Sequence, residues 1–200
     1  MRFGILFFGY LWLFVCKGFE MYPDILPDIV PNIVAYTLML YSLLKLEEQN
    51  RYFNSARKIL HFIIVFVLFY DLYRIYTFTS TPIENDIINN VISSYKILSS
   101  LAFLLYHYYF FKGIGILATD VNLPGIKKSS QFNFYFYLAV NLLLIISQLR
   151  LFSDYSQHIG IVYVLLNFIW LILTCVMVYR CYMWICLEGD EDMSKRKRGS

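Results

Sequence analysis

Six predominantly apolar runs, separated by short polar stretches, organise the chain: Phe3 to Cys16 with an extension toward Phe19, Ile29 to Leu46, Ile59 to Thr79, Val91 to Leu117, Phe132 to Leu149, and Ile159 to Leu187. A helix needs about 20 mostly apolar residues to cross roughly 30 Å of hydrocarbon, so these runs predict six transmembrane helices. The first run is the shortest. The fourth and sixth exceed a plain span, which allows tilt or an interfacial extension. Connections such as Glu47 to Lys58 and Thr119 to Gln131 are too short to fold on their own. The expected fold is therefore all-α: a polytopic membrane helix bundle with one six-helix transmembrane domain over residues 1–187 and a charged cytoplasmic tail over residues 188–200. No repeat of fixed period and no three-plus-three duplication is visible, so a repeat-built transporter architecture gains no support.

The polar punctuation orients the bundle. With the N-terminus inside, Arg2, Lys45, Arg51, Arg57, Lys58, Lys112, Lys127, Lys128, Arg180, Lys195, Arg196, Lys197 and Arg198 fall on the cytoplasmic side, and only Lys17, Arg74, Lys96 and Arg150 fall opposite. Cytoplasmic loops retain Lys and Arg, so both termini are expected in the cytoplasm of a multi-pass cell-membrane protein. Arg2 precedes an apolar stretch as in a signal peptide, but no A-x-A-like cleavage site follows, and the bulky Val15 before Cys16 does not suit lipoprotein processing. The first run is expected to remain as a helix.

Composition sharpens the solvent question. Hydrophobic residues make up 59% of the 200 positions and charged residues 16%, against roughly 25% charged in a soluble domain. With 18 Phe, 18 Tyr and 3 Trp, the chain is incompatible with a water-soluble globule and with disorder. The lipid bilayer is the expected partner. A net charge of +3 spread over loops does not point to nucleic acid, because a short basic tract beside a membrane reports topology or attracts anionic headgroups. The four cysteines offer no external pair: Cys16 lies toward one end of its helix, and Cys175, Cys181 and Cys186 lie in the other half of the bundle. Small apolar packing is their expected role, with Cys186 near the interface a weak lipidation candidate.

Between the first two runs lies Tyr22-Pro23-Asp24-Ile25-Leu26-Pro27-Asp28-Ile29-Val30-Pro31-Asn32. Prolines spaced by four cannot share a straight helix interior, but Asp28 can cap the second helix with Pro31 still in its first turn. The other reading places Asp24 and Asp28 as carboxylates at a cavity mouth. The segment Asp24 to Asp28, followed by Tyr36 on an apolar helix and by Asn54, Ala56 and Arg57, resembles a group of small uncharacterised multi-pass membrane proteins of Gram-positive bacteria with a D-x-L-P-D segment before the second helix. In that group the segment runs into a Gly-Tyr pair, where this chain has Ala35-Tyr36 and an additional Pro31. The resemblance implies a bacterial multi-pass protein and no catalytic or binding residue.

Ionisable groups at membrane depth are functional candidates because burying them in lipid is costly. Asp71 and Arg74, three residues apart, share a helix face, and Lys96 enters the fourth helix at comparable depth. Together with Asp24, Asp28 and Asn167, they suggest an outward-facing cavity that binds or passes a small polar or anionic solute, Arg74 and Lys96 holding the anion and Asp71 fixing the guanidinium. The alternative is structural: Arg74 and Lys96 snorkel to headgroups, Asp71 neutralises Arg74, and the protein is a non-catalytic accessory that holds helices or a membrane partner subunit.

His107, His61, Cys181 and Cys186 can be drawn as a metal site, but none has the close spacing of strong zinc motifs, so a hydrogen-bonded packing role is expected for His107. H-E-x-x-H, G-x-S-x-G, Walker A and G-x-G-x-x-G motifs are missing, which leaves no cofactor and no identifiable catalytic chemistry. Gly113-Ile114-Gly115 is expected to permit bending or close helix packing, and the run Tyr106 to Phe111 to supply core and interface aromatics.

Overall fold

The computed structural model describes residues 2–19, 29–79, 86–147 and 156–198. These residues form six helices in chain order: α1 (Arg2–Phe19), α2 (Ile29–Leu46), α3 (Arg51–Thr79), α4 (Asp86–Asp120), α5 (Pro124–Ser147) and α6 (Ser156–Arg198). The described residues form no strands. Over its described residues, each apolar run of the sequence lies in one helix. The α2 limits coincide with the run, but α3, α4 and α6 extend well past their apolar windows.

The two connections expected to be loops are mostly helix. Glu47 to Gln49 make a single turn, and Asn50 then caps α3 by accepting the Tyr52 amide proton on Oδ1 at 3.0 Å. Arg51, Arg57 and Lys58 consequently sit on the helix, where Arg57 pairs with Glu47 at 2.9 Å. Between α4 and α5 only Val121 to Leu123 are non-helical. Asn122 adopts a left-handed φ of 56°, with Leu123 N–H donating to Ala118 O at 2.7 Å and Asn122 N–H to Thr119 O at 3.1 Å. These are the two bonds of a Schellman cap, and Pro124 then starts α5 at the position where its missing N–H costs nothing. Capping chemistry, which hydropathy does not register, sets both boundaries.

Every helix packs against its neighbours in sequence, and α6 returns to α1, so the six close into a ring. Contacts between neighbours run in opposite directions along the chain: Tyr52 meets Tyr109 while Tyr95 reaches Phe66, and Phe7 meets Tyr179 while Phe14 meets Phe168. Adjacent helices are therefore antiparallel. The inward faces follow helical spacing, as in Phe3, Leu6, Tyr10 and Leu13 on α1 and Phe53, Ala56, Leu60 and Ile63 on α3, all buried. Glycines bring backbones together where the core needs it. A Cβ on Gly9 would stand 2.7 Å from Met39 Cγ, and one on Gly113 would stand 3.0 Å from the Phe53 ring.

The outer faces are apolar as well. Phe69, Tyr135, Leu72, Phe8 and Leu165 are all more than half exposed, which in water would be a large unpaid exposure and in lipid is the favourable arrangement. Among the described residues, three helices carry stretches long and apolar enough to cross a membrane, Arg51–Tyr70, Ile97–Asp120 and His158–Ile185, and α1 and α2 carry shorter apolar stretches. The molecule is thus an all-helical membrane-type bundle. Hydrogen bonds between the adjacent helices α4 and α5 reinforce it: the Ser100 hydroxyl donates to Asn141 Oδ1 at 2.8 Å, and the Ser130 hydroxyl donates to the Phe111 backbone carbonyl at 3.0 Å.

Candidate functional site

A cavity of about 480 Å³ opens inside the ring, bounded by α1, α2, α4, α5 and α6. It occupies the half of the bundle away from the 47–50 and 121–123 turns, because its wall residues run from His107 and Trp170 toward Leu13, Tyr36 and Tyr163. Helical spacing explains who reaches it. Tyr163, Asn167 and Trp170 lie on one face of α6, Phe103 and His107 on one face of α4, and Tyr36 and Met39 on one face of α2.

The wall is aromatic. Tyr10, Tyr36, Phe103, Tyr137, Phe168 and Trp170 all contribute rings, and among the described residues no charged side chain lies on it. At its base, His107 packs against Tyr137 and Trp170 with ring centroids at 4.3 and 4.7 Å, the latter edge to face, and Tyr137 and Trp170 lie 4.4 Å apart. The Tyr10 and Tyr106 hydroxyls meet behind it at 3.3 Å.

Two polar atoms in this aromatic base stand out. His107 Nδ1 lies 2.8 Å from Phe103 O, and since a carbonyl only accepts, Nδ1 carries the proton and Nε2 of the neutral ring offers a lone pair. Nε2 is buried and has no hydrogen-bond partner among the described residues. Trp170 Nε1, a donor, is in the same condition. Their residues are only 4% and 3% exposed and both line the cavity. A buried acceptor and a buried donor without partners each carry a desolvation cost of about 1–3 kcal/mol, which a bound polar group removes.

Of the residues singled out in the sequence, Asn167 lies on this wall, half-buried. Asp24 and Asp28 lie outside the described residues, as does the cap expected from Asp28. Asp71 and Arg74 are on α3, none of whose described side chains lines the cavity, and Lys96 is on α4; the side chains of all three lie outside the described residues. His61 and His107 do not converge: His61 is exposed, its Nδ1 against Arg57 O at 3.1 Å, and His107 is enclosed. No group of three His, Cys, Asp or Glu side chains comes together among the described residues. Sequence reasoning missed Tyr10, Tyr36, Phe103, Tyr137 and Trp170 as cavity walls. The available signal was Trp170, an indole placed mid-span rather than in an interfacial belt.

No family model matches the chain, and neither a curated protein nor a solved structure matches it significantly.

Proposed function

We propose that the protein is a multi-pass membrane protein that crosses the bilayer six times, both termini cytoplasmic, and binds a small uncharged, ring-bearing molecule with a hydroxyl group in the aromatic cavity. The observation that carries the binding is a ligand-sized space whose wall includes His107 and Trp170, the residues that hold the two buried, unpartnered atoms Nε2 and Nε1. A hydroxyl satisfies both, donating to Nε2 and accepting from the indole N–H. The surrounding rings favour a flat apolar body through stacking, and Asn167 adds an amide toward the open side. This moves the reading from an anionic solute to a neutral one, because the described wall holds no cation. Asp71, Arg74, Lys96, Asp24 and Asp28 remain candidates for the approach from outside rather than for the cavity floor.

The six crossings are supported by the closed antiparallel ring, since α1, α2 and α5 pack against helices whose length and apolarity suit a span. The orientation rests on the positive charge gathered at the end with the 47–50 and 121–123 turns.

The test is native mass spectrometry of gently purified protein beside a His107→Phe, Trp170→Phe double variant, which removes both polar atoms and keeps both rings. Wild type should retain a neutral small molecule that the variant loses. Equal retention by both would sink the assignment. A wild type with nothing bound, together with a variant of raised thermal stability, would identify the pair as a hydrated packing defect.

A further inference from the structure

A second concavity, of about 340 Å³, lies between α4 and α5 at the opposite end of the bundle from the aromatic cavity. Its walls carry two lysines, Lys112 and Lys127, and its floor is apolar, with Phe111, Ile116 and Phe134. Gly115 lets the two helices approach there, since a Cβ on it would stand 3.2 Å from Ser130 Oγ.

Lys112 is held in place without being neutralised. Its Nζ donates to Tyr108 Oη at 2.8 Å and lies over the Tyr52 and Tyr108 rings at 4.9 and 5.1 Å. An ammonium has three donors, so with Tyr108 and Tyr52 both drawing on Lys112 one stays available. Neither Lys112 nor Lys127 pairs with a carboxylate among the described residues, and Asp120, although nearby in sequence, is not on the wall. The rest of this end adds to the field: Lys45, Arg51, Lys58, Lys128 and Arg180 are all exposed. A fixed cation, a second cation across a groove, and an apolar floor open to an apolar helix face match one ligand chemistry, a phosphate ester on an acyl chain.

We infer that the α4–α5 groove is a binding site for an anionic phospholipid, whose headgroup phosphate lies between Lys112 and Lys127 while an acyl chain runs down past Phe111, Ile116 and Phe134. A free phosphate shares the headgroup chemistry but uses none of the apolar floor, which is the reason to assign the lipid. The site is independent of the aromatic cavity and stands or falls separately from it.

The experiment is native mass spectrometry of the full chain released from nanodiscs that contain phosphatidylglycerol and phosphatidylcholine in equal amounts. Wild type should retain phosphatidylglycerol preferentially. A Lys112→Gln, Lys127→Gln variant should lose that preference by roughly 30-fold, about fivefold per lysine. Lys58→Gln, a change of charge at the same end but outside the groove, should leave it unaltered. Millimolar inorganic phosphate should not displace the lipid. Undiminished preference in the double variant overturns the site, and equal losses in the double variant and Lys58→Gln reduce it to diffuse surface charge. Displacement by phosphate alone replaces the lipid with a soluble anion. A thermal melt of each variant shows that the protein remained folded, and a double variant that melts early is replaced by Lys127→Gln alone, for which the expected loss is about fivefold.

Discussion

At the scale of single residues, the informative positions are those where a small change of atoms meets a tightly determined neighbour. Gly9 is one. A methyl there would press on Met39 Cγ at 2.7 Å and on the Ala35 carbonyl at 3.2 Å, so Gly9→Ala should lower the melting temperature in detergent, at a cost of about 1–3 kcal/mol. Gly160→Ala, where a Cβ meets nothing within 4 Å, should not. Ser100 makes a second test: Ser100→Ala deprives buried Asn141 Oδ1 of its donor at 2.8 Å and should cost about 0.6 kcal/mol, the average for such bonds between membrane helices, and at most about 1.7 kcal/mol. His107 belongs to the same scale. Its sequence context marked it as a packing histidine, and Nδ1 does bond the backbone four residues back. What one helix cannot disclose is that Nε2 is left over, because this depends on side chains from α5 and α6.

At the scale of elements, apolar runs locate helices well and their ends poorly. The α2 limits were legible because apolarity and helicity stop together at Leu46. In α4 and α5 the helices run past the apolar window through Thr119, Asp120, Lys127 and Lys128, since a polar residue outside the hydrocarbon has no reason to leave a helix. The turn itself depends on Asn122 in the left-handed region. Asn122→Val should destabilise the α4–α5 hairpin by about 1–2 kcal/mol, and Asn122→Gly should leave the melt unchanged or improve it. Equal melts for both variants would show that the Schellman cap does not matter to stability. The glycines of Gly113-Ile114-Gly115 were expected to permit close packing, and Gly113 against Phe53 does so.

At the scale of the molecule, antiparallel neighbours in a closed ring place the 47–50 and 121–123 turns at one end together with the start of α1. Glu48→Cys and Asp120→Cys, both at exposed positions, should therefore behave alike in intact cells once the native cysteines are replaced. Both should react with a membrane-permeant maleimide and resist an impermeant one. Labelling of one but not the other by the impermeant reagent would break the six-span arrangement; labelling of both would invert it. The exposed belt that includes Phe69, Tyr135 and Leu165 is what the bilayer covers in this arrangement.

Composition and spacing by themselves determined the solvent, the all-helical class and the position of each helix along the chain, because burial in lipid acts on each segment separately. They also flagged Asn167, a polar side chain in an apolar run, which lies on the cavity wall. Tertiary structure decided which faces turn inward, and with that the character of the cavity. Tyr10, Tyr36, Tyr137 and Trp170 come from four helices, and their convergence with His107 on one cavity is a property of the ring rather than of any one segment.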